Sequence, residues 1–182
     1  MPELPEVETI KNELELYVVG RSISGITLFW EGMLRQPSLS EFYTRINGQE
    51  ITGLKRRGKY LIFSLSNGDL LIIHLKMSGS LLVGKDSSPP AKYTRAIIHL
   101  DNGTNIFFPD PRKFGTMQLV RDKDSVVGKL GPEPLAADFT PKILAKRLSK
   151  RKASIKAVLI DQSFIAGMGN MYADEALFSA GI

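Results

Sequence analysis

The chemistry in this chain starts at its second residue. Pro2 follows Met1, and a residue as small as Pro lets an initiator Met be trimmed, which leaves the Pro2 nitrogen as a free secondary amine. An α-amino group titrates near pKa ~8 and a Lys side chain near ~10.4. About a tenth of such an amine is therefore neutral and nucleophilic at pH 7, far more than of an ordinary Lys. A secondary amine that adds to an aldehyde carbon yields an iminium. Its fixed positive charge is an electron sink that promotes bond cleavage beside the old carbonyl. Glu3 lies next to the amine and Glu6 one turn further on, so an acid or base carboxylate is within reach. Read alone, the same residues also suit a plain helix start, with Pro5 in the first turn and Glu6 and Glu8 at the positive end of the dipole.

Four later stretches could also act. Lys59 ends the basic run Lys55-Arg56-Arg57-Gly58-Lys59 and opens an apolar stretch; such a run is most often a solvated face. Met77 stands in His74-Leu-Lys-Met-Ser-Gly-Ser80, where an unbranched apolar side chain in a Gly/Ser loop could fill the space left when a base leaves a DNA stack. In Asp110-Pro-Arg-Lys-Phe-Gly115, Arg112 and Phe114 are two residues apart and can work on one side, Phe114 as a wedge and Arg112 as a partner for an orphaned base. Gly167-Met168-Gly169-Asn170 opens a helix, and backbone N–H groups at a helix start form an anion site. Between Phe139 and Ile160 there are seven basic residues and no acidic one, which favours phosphate there, with Lys156 and Asn170 gripping the backbone.

The elements that must hold these residues follow from periodicity. Val7, Ile10, Leu14, Tyr17 and Val18 recur at helical spacing, and Gly20 supplies a stop. Ser22–Trp30 reads as a strand, and Ser38 or Ser40 caps a short helix carrying Phe42 and Ile46. Strands are predicted at Gln49–Leu54, Tyr60–Leu65, Leu70–Leu75, Ala96–Leu100, Asn105–Phe108 and Thr116–Val120. Asn67-Gly68 and Asn102-Gly103 are tight hairpin turns. Many short strands with such turns argue an antiparallel two-sheet β-sandwich with flanking helices, an α+β fold that is mainly β. Gly131-Pro-Glu-Pro134 reads as a linker. Helices follow from Thr140, at about Ser154–Asp161, and at Tyr172–Ala180. The division expected is a catalytic domain at 1–135 and a helical DNA-binding part at 136–182. The stripe Ile143, Leu144 and Leu148, with Leu177, expects further apolar cover.

Composition sets outer limits. At 182 residues the chain holds one ordinary domain and a small second unit. No apolar run reaches the ~20 residues of a membrane span, and no signal-peptide pattern is present, so a cytoplasmic location is the default. There is no Cys and there are only two His, which leaves no thiolate metal site and too few His for a metal cluster. The formal charge of +5 favours a polyanionic partner.

The opening Met1-Pro-Glu-Leu-Pro-Glu-Val-Glu-Thr9 resembles that of bacterial formamidopyrimidine-DNA glycosylases and the related endonuclease VIII enzymes. Arg56-Arg57-Gly58-Lys59-Tyr60-Leu61 and the run from Phe164 to Leu177 are similar to the same family, so the resemblance covers almost the whole chain. It implies base excision repair: Pro2 attacks the sugar of an oxidised purine nucleotide, Glu3 relays a proton, Lys59 assists, and β,δ-elimination cuts the strand. It also implies that Met77, Arg112 and Phe114 fill the gap in the duplex, and that the C-terminal part is a helix-two-turn-helix clamp whose Gly169, Asn170 and Lys156 meet phosphate. Tyr93, in Lys92-Tyr93-Thr94-Arg95, joins the DNA-contacting set where some relatives carry His. The partner implied is double-stranded DNA with oxidised purines or abasic sites, bound by a monomer. The family's four-Cys zinc finger has no counterpart, so no cofactor is expected in this chain, and a truncated clamp with weak excision is. The other reading is a catalytically silent DNA-binding relative, separable by whether the amine is blocked.

Overall fold

The computed structural model describes residues 1–182. Helix α1 (Leu4–Val18) begins earlier than the apolar periodicity, because Glu6 Oε2 reaches back to accept from Glu3 N–H at 2.9 Å across its first turn. Its Val7, Leu14 and Val18 face inward. Helix α2 (Leu39–Ile46) is capped by Ser38, whose Oγ accepts from Glu41 N–H at 3.4 Å, and buries Phe42 and Ile46.

Nine strands make two sheets. β1 (Ile23–Leu28), β7 (Thr94–Leu100), β8 (Thr104–Pro109) and β6 (Leu82–Lys85) form an antiparallel sheet in that order. The second sheet runs β2 (Leu34–Gln36), β9 (Thr116–Val120), β5 (Leu70–His74), β4 (Tyr60–Leu65), β3 (Ile51–Arg57). The two-sheet sandwich is as expected, with one departure from antiparallel pairing: β2 pairs with β9 in parallel, Leu34 opposite Met117. Three residues with one apolar position carry no strand period, so β2 was invisible to pattern. β6 was invisible too: its Leu82 and Val83 lie exposed beside Gly84 on an edge. β3 continues through Lys55–Arg57, so the strand runs past the expected end at Leu54 into the basic run.

The main core lies between the sheets and under α1 and α2, where Phe42, Phe63 and Phe108 are fully buried. A small helix α3 (Asp124–Val127) seals the outer face of the second sheet, Val127 packing on Ile62 and Ile72.

The C-terminal unit holds α4 (Pro141–Leu148), α5 (Ile155–Ile160) and α6 (Asn170–Ser179). They gather a second, smaller core of Val158, Leu159, Phe164, Ile165 and Ala173, against which Leu144, Leu148 and Leu177 are half-buried. An apolar groove of about 370 Å³ remains between α4 and α6, lined by Leu144, Leu148 and Leu177 among others. The stretch at Gly131–Pro134 is not a loose linker. Gly131 N–H donates to Gln162 O at 2.8 Å, Ala166 N–H donates to Pro132 O at 3.0 Å, and Glu133 is bonded into the sandwich. No helix is long and apolar enough to cross a membrane.

Candidate functional site

Both units meet at the N-terminus. Leu4 N–H donates to Gly167 O at 3.0 Å, which ties the start of α1 to the turn before α6. Glu3 is buried, and its carboxylate sits on the N-terminus of α6: Oε2 accepts from Gly169 N–H at 2.7 Å and from Tyr172 N–H at 3.4 Å, and Oε1 accepts from Met171 N–H at 3.0 Å. The helix start read as a phosphate cradle is thus filled from within by Glu3. Gly169 is required for this, since a Cβ there would lie 2.4 Å from Glu3 Cδ. Three N–H donors at the positive end of a helix stabilise a buried carboxylate without a cation.

Glu6 completes the acidic pair. Its Oε2 accepts from Glu3 N–H at 2.9 Å and its Oε1 from Tyr172 O–H at 2.8 Å. Burial pushes the Glu6 carboxyl up, but those two bonds outweigh it and hold the group below the usual carboxylate range. The phenol of Tyr172 is raised, chiefly by the same bond.

Lys59 is 7% exposed. Burial lowers the pKa of its ammonium, and the negative charges of Glu3 and Glu6 offset part of that. It is therefore no member of a solvated run. Its neighbours are structural: Glu133 accepts from Arg56 at 2.7 Å, Arg57 at 2.9 Å and Gly58 N–H at 2.6 Å, and Arg56 also bonds Glu8 of α1. Burial pushes the Glu133 carboxyl up, and these donors bring it down overall. Pro2 is half-buried behind an exposed Met1, at the edge of this cluster.

The structure also brings Met77, Arg112 and Phe114 together. Arg112 Nη1 lies 3.6 Å from Met77 Sδ, and its guanidinium stands 5.3 Å from the Phe114 ring centroid. Met77 and Phe114 are about half exposed. Buried Asp110 joins their loops: Oδ1 accepts from Ser78 O–H at 2.5 Å, Oδ2 from Gly115 N–H at 2.7 Å, and its carbonyl from Arg95 Nε–H at 2.9 Å. Tyr93, at φ +66°, is exposed beneath Lys92 and Arg95. Lys156 is paired with Asp174 at 2.7 Å, and Asn170 opens α6 with an exposed side chain.

Asp110, Glu133 and Tyr172 escaped the sequence reading. Each is one acid or phenol inside a motif read for other members. A lone acid within a basic or Gly/Pro loop was the available signal. The zinc site that the resemblance implies does not fit residues 1–182, which hold no Cys and no cluster of three or more His, Asp or Glu placed for a metal.

Residues 1–117 match the model of the formamidopyrimidine-DNA glycosylase N-terminal domain, and residues 130–182 match that of its H2TH domain. The chain is 48% identical to a formamidopyrimidine-DNA glycosylase of Chloroflexus aurantiacus and 43% identical to one of Desulfitobacterium hafniense, covering all of this chain and 66% and 68% of theirs. Among solved structures it superposes on the Lactococcus lactis Fpg bound to abasic-site DNA with a TM-score of 0.91 at 35% identity, over 99% of this chain and 67% of that one. A MutM complex with carbocyclic 8-oxo-G DNA gives a TM-score of 0.91 at 36% identity, over 100% and 70%. With both domain models matched and the superposition spanning sandwich and helices alike, the chain belongs to the formamidopyrimidine-DNA glycosylase family.

Proposed function

We propose that this chain is a bifunctional DNA glycosylase and abasic-site lyase of base excision repair that removes oxidised purines through Pro2. The observation that carries this reading is the lodging of Glu3 on the α6 N-terminus, one residue after Pro2 and beside buried Lys59. Solved relatives hold DNA with abasic, Fapy-dG or carbocyclic 8-oxo-G nucleotides, which supports the substrate class.

The steps use only protein groups. With Met1 trimmed, the Pro2 lone pair attacks C1′ and the glycosidic electrons leave with the base, which takes up a proton. Glu3 accepts the proton from the Pro2 nitrogen and passes it to O4′ as the C1′–O4′ bond breaks. This leaves an iminium between Pro2 and C1′. Loss of a C2′ proton then expels the 3′ phosphate, and a second elimination expels the 5′ phosphate. Lys59, with its lowered pKa, assists at the sugar. Met77, Arg112 and Phe114 fill the gap left by the flipped nucleotide, while Tyr93, Lys156 and Asn170 line the DNA side, and the Gly169 turn holds Glu3 rather than phosphate. Residues 1–135 act as the catalytic unit and 136–182 as the clamp. The location consistent with this role is the bacterial cytoplasm, at the nucleoid.

Borohydride reduction on abasic DNA tests the assignment. The trimmed protein, verified by N-terminal mass, should give a covalent adduct, and a form extended before Pro2 should not. Equal trapping by both forms would sink Pro2 as the nucleophile. No adduct from a trimmed protein that still binds the DNA favours the silent relative.

A further inference from the structure

The cleft beside Phe164 holds more positive charge than its surroundings neutralise. Lys146, Arg147, Lys150 and Arg151 line it, over a volume of about 260 Å³. Lys146 and Arg147 stand in the last turn of α4, and Lys150 and Arg151 in the turn and the chain that follow it, while Leu144 and Leu148 face the small core. The buried Phe164 ring takes both guanidinium groups, Arg147 at 5.0 Å and Arg151 at 5.2 Å from its centroid. Arg147 Nη2 donates to Phe164 O at 2.9 Å, yet its buried Nε has no acceptor.

Countercharge is short. Asp161 stands 3.7 Å from Arg151 and is already bonded to Ser163 N–H and O–H. Arg147 has no carboxylate partner, and neither have Lys146 and Lys150. The other basic cleft differs: Lys55, Arg57 and Lys123 share it with Asp124, and Arg57 is bonded to Glu133. Like charges held against one ring repel until an anion joins them.

We propose that this cleft is a second phosphate site, which grips the DNA backbone outside the residues that read the lesion. A phosphate oxyanion suits both the planar Arg fork and the Lys ammonium groups. The chain runs from Arg151 through Ser154 into α5, which carries Lys156. The choice of DNA as the source rests on the function proposed above; the preference for an oxyanion rests on the cleft alone.

The test uses the full chain carrying Lys150→Ala and Arg151→Ala, both exposed positions. Binding is measured against salt on a short duplex confined to an abasic-site analogue and on a long one. The double variant should bind the long duplex several-fold more weakly and lose about one to two units of log–log salt slope. The short duplex and borohydride trapping at saturating DNA should be unchanged. Arg147→Lys, which keeps charge and loses the fork, should fall in between. Unchanged affinity and slope on both duplexes would overturn the site. Inorganic phosphate shifting the Arg147 Nε–H resonance with no effect of the variants on DNA would overturn the DNA assignment in favour of free phosphate. Trapping absent in the parent protein, with the long-duplex effect intact, would support the site and count against Pro2 instead.

Discussion

The Tyr172 hydroxyl donates to Glu6 Oε1 at 2.8 Å, and so joins the helical unit to the helix that carries the N-terminus. The same residue's N–H approaches Glu3 Oε2 at 3.4 Å, so one position on α6 touches both acidic side chains. Tyr172→Phe deletes a single oxygen. Glu6 would lose one of the bonds that hold its carboxyl below its ordinary value of 4.5 and would titrate higher. A carboxyl depressed by folding gives stability that is present above its unfolded pKa and is lost as pH falls through its folded pKa. The variant should therefore lose stability, and excision, from a higher pH downward. Single-turnover excision across pH 4–8 checks this; superimposable acid limbs would show that Tyr172 does not hold Glu6.

Gly169 should resist substitution for lack of space. Its φ of −128° suits any residue, but an added Cβ would meet Glu3 Cδ at 2.4 Å. Gly169→Ala should expel the Glu3 carboxylate from the α6 terminus. Displacing a positioned group by about 1 Å can cost about 10²-fold in rate. Base excision should fall on that scale, while trapping on a pre-formed abasic site, where the base is already gone, should fall less. Equal losses in both assays would assign the defect to folding or binding.

Those two contacts mark what pattern could and could not deliver. Local signals found α1 from its apolar spacing and both Asn-Gly hairpins, because each is written within a few neighbouring residues; Met77 and Arg112 lie 35 positions apart, and only the family resemblance set them beside Phe114. The lodging of Glu3 on Gly169 spans 166 positions, and no periodicity encodes it. The same holds for Glu133. A Gly-Pro-Glu-Pro string looks like a hinge until the carboxylate is seen among Arg56, Arg57 and Gly58. β2 failed for another reason: its pairing with β9 depends on a neighbour already in place, not on its own composition.

Glu133→Ala should be among the most damaging single changes away from the acidic pair. It takes an acceptor from Arg56, Arg57 and the Gly58 N–H, while Arg56 keeps Glu8 and Arg57 keeps the Leu130 and Gly131 carbonyls, so the loss should lie below the ~3 kcal/mol of a fully broken buried pair. Thermal unfolding should show a drop of several degrees, with a smaller one for Glu133→Gln, which keeps an acceptor oxygen. Excision should also fall in Glu133→Ala, since the turn it holds presents Lys59. A melting point within a degree of the parent would mean that the junction is fastened elsewhere.

Asp110 is the corresponding brace for the wedge. Phe114→Ala and Met77→Ala should weaken binding to DNA with a missing base more than binding to intact duplex. Asp110→Ala should reproduce that selective loss without touching either wedge side chain, because Ser78 O–H and Gly115 N–H lose their common acceptor. Parallel losses on both DNAs would reduce Asp110 to a general stability residue.

His74 supplies a test on the other side of the same loop. Its Nδ1 accepts from Lys76 N–H at 2.9 Å, which places the ring proton on Nε2, and the ring meets Tyr60 edge-on at 4.4 Å. Burial, and then the charges of Lys76 and Lys59, push its pKa down to about 3. The ring should stay neutral across pH 5–8 in the folded protein. An unfolded His takes a proton near pH ~6.5, so the stability tied to His74 is full above that pH and is lost as pH falls from there through about 3. Imidazole NMR should show the Nε2–H tautomer with no titration between pH 5 and 8, and His74→Phe should flatten the decline of stability over the acid range. A midpoint above pH 5 would mean that Lys76 N–H does not hold the ring, and that the backbone leading into Met77 takes another path.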